Sequence, residues 1–446
     1  MRGFRLWVIA AVGSTLIGTW SPLLAAEETP ASSATLEDRV KELDQKVRAL
    51  ESKRQGDEAQ AKDAPRVGSD KDGFYLKSAS GDFQLKLRGY LQTDGRFFLE
   101  DDTKPATDQF LLRRVRPIFE GKVYKYFDFR IMPDFGNGKV ELQDGYLELS
   151  YWPQAKLRAG KFKGPVGLER LQSGTDILFV ERALPTNLVP NRDLGFQLHG
   201  DVLNGALSYA VGVFNGVPDG ASSDGDTGDD KEFEGRVFSH PFKGSDIKPL
   251  EGLGVGVAGS FGETEGTLPS FKSPGQNTFF SYRATSTAGG AHYRIAPQGY
   301  YYWGPLGLLG EYVVSAQDVK NGTGLKKLQN KTWQVAASYV VTGETASYKG
   351  VNPKRPFDPR NGAWGALEIA ARYSDLSVDK DAFPTFADPA VSARKARAWA
   401  AGVNWYLNKG VKVVLDYEQT KFDGGAASGA DREDERVILS RFQIAY

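Results

Sequence analysis

The chain has 446 residues, with no cysteine, three histidines, 51 glycines and 56 basic against 56 acidic residues, for a formal net charge of zero. Without cysteine there is no disulfide and no thiolate metal site, and without net charge there is no general pull toward nucleic acid. Abundant glycine, 12% aromatics and only two methionines favour many strands and turns over a helical enzyme core.

Arg2 and Arg5 open the chain with positive charge, Leu6 to Trp20 is largely apolar, Ser21-Pro22 breaks the run, and Ala25-Ala26 offers a cleavage site. Residues 1–26 therefore read as a secretory signal peptide, short of the ~20 residues of a membrane-spanning helix. Beyond Ala26 no uninterrupted apolar stretch is long enough to cross a bilayer. An exported chain of this kind is either soluble or a barrel.

Residues 27–54 read as a short coiled coil. Leu36, Val40, Leu43, Val47 and Leu50 recur at spacings of four and three. With Val40 and Val47 at a, the leucines fall at d. Arg39 and Lys46 at g then face Asp44 and Glu51 at the following e, which favours a parallel partner in register. About two heptads are too short to be stable alone, so the seam predicts a second source of association. A lone amphipathic helix lying on another surface is the competing reading. Residues 55–82, polar and carrying Pro65, Gly68 and Gly73, read as a linker.

From Phe83 the period changes to two. Phe83, Leu85, Leu87 and Leu91 alternate with Lys86, Arg88, Tyr90 and Gln92; Val115, Pro117 and Phe119 alternate with Arg114, Arg116 and Glu120. Phe127, Phe129 and Ile131 alternate with Asp128, Arg130 and Met132, and similar runs continue to the C-terminus. Runs of about ten residues cross a tilted membrane wall, whereas soluble strands are commonly about five or six residues long. Tight turns at 122–126, 152–154, 201–204, 303–305 and 408–410 alternate with long polar loops at 99–108, 163–191, 216–231, 263–290, 377–395 and 423–434. The count comes to about sixteen strands, an even number, as transmembrane barrels have. It leaves 343–362 as an unusually long short-side segment and places the strand-like piece Thr278–Arg283 inside a loop. Tyr124, Tyr126, Tyr151, Trp152, Tyr300–Trp303, Trp405 and Tyr406 gather at run ends like an interfacial aromatic girdle. The fold class is thus all-β: a transmembrane antiparallel barrel over 83–446, preceded by a short helix.

Three stretches carry a more specific resemblance. Leu112-Arg-Arg-Val-Arg-Pro-Ile-Phe-Glu-Gly121, Ala159-Gly-Lys-Phe-Lys-Gly-Pro-Val-Gly-Leu-Glu169, and Glu181-Arg-Ala-Leu-Pro185 with Asn191-Arg-Asp-Leu-Gly195 resemble the phosphate-selective porin family, in order. Thr342-Gly-Glu344 and Gly362–Tyr373 fit its later half, and the terminal Phe442-Gln-Ile-Ala-Tyr446 resembles an outer-membrane assembly signal, with Arg441 where a small residue is usual. The resemblance implies a homotrimer of sixteen-stranded barrels in the outer membrane of a Gram-negative bacterium. Its third long loop, here 163–191, would fold inward to narrow each pore. It implies outer-membrane lipid and small anions such as phosphate as partners.

A pore selects anions by ringing its narrowest point with cations, and the arginine fork suits phosphate oxygens. Arg114 and Arg116 share the inward face if Val115, Pro117 and Phe119 meet lipid. Arg113 sits at the strand mouth, where the family has paired arginines. Arg88, Arg130 and Arg158 fall on polar faces of neighbouring strands, and Lys161, Lys163 and Arg170 flank the loop. Asp94, Glu120, Asp128, Asp144 and Glu148 share those inward faces, so a cross-strand salt bridge competes as the role of each arginine.

Other chemistry leaves little trace. Gly254-Val-Gly-Val-Ala-Gly259 matches a dinucleotide fingerprint but lies inside a strand, without the strand-to-helix turn that site needs. His199, His240 and His292 stand singly, and Asp224–Asp230 lacks defined calcium-loop spacing, so no metal or cofactor is expected. The expected function is a passive, anion-preferring porin and not an enzyme. The alternatives are a general or organic-solute porin, or an outer-membrane tether or adhesin working through the coiled coil.

Overall fold

The period-two sequence forms, in the computed structural model, a closed sheet with its polarity turned inside out. The structure describes residues 36–70, 73–99, 106–226 and 228–446, with backbone alone for 56–63; the expected signal peptide lies outside them. One helix, α1 (Leu36–Asp63), forms a unit of its own. Its seam residues Leu36, Val40, Leu43, Val47 and Leu50 are all exposed, from 48% at Val47 to 84% at Leu36. Glu42–Lys46 and Asp44–Arg48 pair one turn apart along it.

The second unit is built of strands. They are β1 (Arg66–Asp70), β2 (Gly73–Lys77), β3 (Gln84–Leu99), β4 (Gln109–Val123), β5 (Phe127–Asp134), β6 (Glu141–Trp152), β7 (Ala155–Phe162), β8 (Asp193–Val202), β9 (Leu207–Phe214) and β10 (Glu232–Ser239). There follow β11 (Leu253–Gly266), β12 (Ser270–Lys272), β13 (Thr278–Ser281), β14 (Ser286–Trp303), β15 (Leu306–Asn321) and β16 (Gly324–Val340). The last four are β17 (Ala366–Ser377), β18 (Ala393–Tyr406), β19 (Val411–Gly424) and β20 (Glu435–Ala445). Each barrel strand pairs antiparallel with the next, and β20 pairs back on β3 from Arg436↔Leu99 to Ala445↔Tyr90. Omitting the β1–β2 hairpin and the small β12–β13 sheet, sixteen strands close the cylinder.

Outward positions such as Leu87, Phe119, Ile131, Leu147, Phe196, Ile369 and Leu415 are exposed and apolar. Inward positions such as Gln92, Asp94, Arg114, Glu232, Arg294, Glu311, Arg372 and Arg441 are buried and polar. That inversion is what lipid outside and water inside demand. Arg441, which breaks the usual end-strand pattern, faces inward and makes two 2.7 Å bonds to Asp94. Tyr446 exchanges backbone bonds with Gly89 at the seam.

Two expectations need correction. Residues 55–82 are not a linker: the helix continues to Asp63 because no proline interrupts it before Pro65, and β1 and β2 then form a hairpin whose second strand pairs with β3 below the β20 pairing. The loop expected at 263–290 is shorter, because β11 runs to Gly266 and β14 starts at Ser286. The strand-like piece at 278–281 does lie in that loop, as β13.

Strand lengths and inward side chains divide the barrel into two halves. From β7 to β10 the strands have eight to ten residues; β14 to β16 have sixteen to eighteen. Inward positions of the tall half are often small, including Ala258, Ala296, Ala336, Ala370, Ala396, Ala398 and Ala400. Small residues leave room for chain inside. Phe271, Phe279 and Phe280 of the β12–β13 loop pack there with Leu184, Leu188 and Val189 from loop 163–192 and Phe383 and Phe386 from loop 378–392. The apolar core therefore lies within one side of the cylinder.

Candidate functional site: a basic constriction

Loop 163–192 joins β7 to β8, and its backbone meets inward side chains of β3, β15 and β17–β19. Inward polar groups of the tall half capture its backbone. Glu311 accepts from the Leu168 amide at 2.7 Å, Asp416 from the Val180 amide at 2.6 Å, and Asn404, Lys412 and Arg372 donate to the carbonyls of Leu178, Ile177 and Glu181 at 2.8–2.9 Å. Gln92 donates to the Gly174 carbonyl at 2.8 Å. Phe179 packs on Ala370 and Ala400 beneath the Arg372 guanidinium. Gly160, just before the loop, needs its positive φ of 131°; a Cβ there would come within 2.3 Å of the Gly145 carbonyl oxygen.

With the loop held to one wall, a cavity of about 760 Å³ remains against β4–β7. Its lining carries eleven basic side chains against five acidic ones. Seven of the nine expected cations meet there: Arg113, Arg114, Arg116, Arg130, Arg158, Lys163 and Arg170. Arg88 instead lines a separate space of about 390 Å³ near the C-terminus. Lys161 is buried and paired with Asp224 of the following long loop. Arg182, Arg192, Lys139 and Lys272 complete the basic lining without having been singled out from the sequence. Arg182 and Arg192 stood inside motifs already quoted, and proximity to those motifs was their available signal.

Strand and loop cations differ in how they are held. β3 and β4 slip register so that Gln92 faces Arg114 while Thr93 faces Leu112. Arg113 is the extra residue of this bulge, which brings both adjacent arginines to the lumen. There Glu181 of the loop takes Arg113 at 2.5 Å, Arg96 at 3.0 Å and Arg114 at 3.8 Å. Burial opposes ionisation of Glu181, but Arg113, Arg114 and Arg96 outweigh it and hold its carboxyl well below the usual range. Arg116 bonds Asp134 at 2.7 Å and the Tyr90 hydroxyl at 2.8 Å. Arg130 pairs with Glu120 and Asp144, each at 3.2 Å; Arg88 pairs with Glu120 at 2.8 Å, and Arg192 with Asp144 at 2.8 Å. Arg158 pairs with Glu148 and stacks over Tyr146.

The loop cations rest on backbone. Lys163 and Arg182 both donate to the Gln172 carbonyl, at 2.8 and 2.7 Å, and Arg170 donates to the Thr186 carbonyl at 2.5 Å. Among the described residues none of these three has a carboxylate within ion-pair distance. Burial first, then Arg182 and Arg192, push the Lys163 ammonium well below the usual lysine range. This cluster is a desolvated patch of positive charge beside an open cavity, suited to an entering anion.

Residues 83–446 match the family model described as phosphate-selective porin O and P. Porin O of Pseudomonas aeruginosa is 26% identical over 416 residues, covering 84% of this chain and 91% of that protein. Among solved structures, the outer-membrane channel DcaP of Acinetobacter baumannii aligns with a TM-score of 0.54 at 12% identity, over 85% of this chain and 99% of that one. OmpT, an outer-membrane protein of Vibrio cholerae, aligns with a TM-score of 0.51 at 13% identity, over 82% and 98%. These two similarities concern the fold.

Proposed function

The chain belongs to the phosphate-selective porin O and P family of outer-membrane channels, and from that premise we propose that it passes small anions, phosphate among them, in preference to cations and catalyses no reaction. The short-turn end then faces the periplasm and the long-loop end the exterior. One observation carries the anion preference: Lys163, Arg170 and Arg182 face the constriction on carbonyl supports, without a carboxylate to cancel them. The paired strand arginines form the opposite wall. An anion passing between the two exchanges water for charge-assisted donors that are already in place.

A homotrimer is part of this reading. Strands of eight residues in β7, β9 and β10 rise only about 20 Å when tilted as barrel strands are, against an apolar band of about 25 Å. A neighbouring copy covering that low wall removes the mismatch. The seam of α1 supplies a further self-association surface.

Planar-bilayer recording tests the proposal. The expected reversal potential in a KCl gradient is that of an anion-preferring pore, with phosphate blocking chloride current. Lys163→Gln with Arg182→Gln should lower the anion-to-cation permeability ratio several-fold, by roughly the share of field those charges supply. A cation-preferring or unselective wild-type pore sinks the reading and leaves a general porin; a closed barrel favours a tether.

A further inference from the structure

The segment 341–365 between β16 and β17 is long for the short-turn end, and it turns back into the barrel. Its Ala346 amide donates to the Gly304 carbonyl at 2.8 Å, and Ala346 and Val351 are buried with Val340, Ala366 and Tyr406. Beyond this foothold Tyr348 reaches inward. Its ring stacks on Tyr300, with centroids 5.1 Å apart and 24° between planes.

Tyr348 touches the constriction loop twice, on either side of the short helical turn Leu168–Leu171. Its hydroxyl donates to the Leu168 carbonyl at 2.5 Å, and its own carbonyl accepts from Gln172 Nε2 at 2.8 Å. The Gln172 carbonyl is the oxygen on which Lys163 and Arg182 converge. The two cations are thus placed by a residue whose side chain is tied to a segment entering from the other mouth of the pore. Side-chain hydrogen bonds from a rigid second layer orient a first layer in this manner.

We propose that 341–365 is a second lumenal element governing selectivity, with Tyr348 and Gln172 as positioning residues that fix where Lys163 and Arg182 present their charge. The inference rests on the anion-channel reading. Without the Tyr348 side chain the Leu168–Gln172 turn loses its hydroxyl tie and the ring stack that seats the residue 348 carbonyl, so the Gln172 carbonyl under Lys163 and Arg182 is held less firmly. Their charge then averages over more positions and acts less strongly on a passing ion.

The test compares wild-type, Tyr348→Ala, Tyr348→Phe and Gln172→Met pores in planar bilayers, with barrel formation checked by heat-modifiable gel mobility. Gln172→Met keeps volume and the carbonyl while removing the donor, so it reports even where Tyr348→Ala assembles poorly. Gln172→Met and Tyr348→Ala should each reduce the anion-to-cation permeability ratio by about threefold, as losing one positioning hydrogen bond permits. Tyr348→Phe, which loses the hydroxyl bond but retains the ring stack on Tyr300, should fall between Tyr348→Ala and wild type. An anion-preferring wild type with unchanged reversal potentials in Gln172→Met and Tyr348→Ala, whatever their conductance, overturns the positioning role alone. A wild type without anion preference overturns it together with the function it rests on.

Discussion

Glu181 determines how much of the strand-borne positive charge an anion can use. One carboxylate faces Arg96, Arg113 and Arg114, so it offsets one of their three positive charges while engaging all three guanidiniums. Glu181→Gln should free them, and the phosphate concentration that halves chloride current should drop by about tenfold, the effect of uncovering a partly desolvated charge. An unchanged half-blocking concentration would show that anions bypass these arginines. Lys163 gives the pore a pH dependence whose sign is fixed. Its acid constant is shifted so that the charged form is disfavoured, so charge is present at low pH and lost as pH rises through a point below the ordinary lysine range. Anion preference should therefore decline as pH rises, before ordinary lysines titrate, and Lys163→Arg should flatten the decline. A wild-type profile with no such decline, or a decline surviving Lys163→Arg, assigns the charge elsewhere. The arginines themselves were legible because they recur in the polar phase of strands. The bulge that turns Arg113 inward was not, since it slips the register by one residue, and neither was Glu181, whose partners lie 68 and 85 positions away in the chain.

At the scale of elements, sixteen barrel strands could be read from sequence because lipid and lumen impose period two on every crossing. What escaped the reading was structure that does not touch lipid. β1 and β2 are short and lie outside the closed cylinder, and the helix beyond Leu50 has no apolar seam to announce it. The inward alanines of β14–β18 carry no signal of their own in the sequence, yet they leave the space into which three loops pack. The α1 seam makes the opposite case, plain in sequence and without a partner in a single copy. Its valine-at-a, leucine-at-d pattern favours two strands in isolation, so in the proposed trimer the third strand would be held by association of the barrels. Because the chain has no cysteine, a single introduced thiol is diagnostic. Leu43→Cys should give an oxidised covalent dimer within the assembled protein, while Lys41→Cys, on the outer b position, should not. Equal cross-linking of both, or of neither, would remove the coiled coil from the account.

The barrel is a cylinder filled on one side. Loop 163–192, the β12–β13 hairpin and loop 378–392 form a single apolar core against the tall wall, so the open cavity lies along β4–β7. The hairpin meets loop 163–192 through this apolar core and through Asn187, whereas the proposed selectivity rests on the loop's polar face. Asn187 donates to the Lys272 carbonyl and accepts from the Lys272 amide, each at 2.9 Å. By contrast, the carbonyls holding Lys163, Arg170 and Arg182 belong to loop 163–192 itself. Deleting 268–284 should therefore raise single-channel conductance by roughly twofold, as a wider mouth requires, while the reversal potential stays near that of the wild type. The deletion exposes Phe422 and the inward alanines, but their wall is held by strand pairing on both sides and should persist. If selectivity instead collapses with the hairpin, the deciding charge sits at the mouth, on Lys272, and the constriction loop serves only to narrow the path.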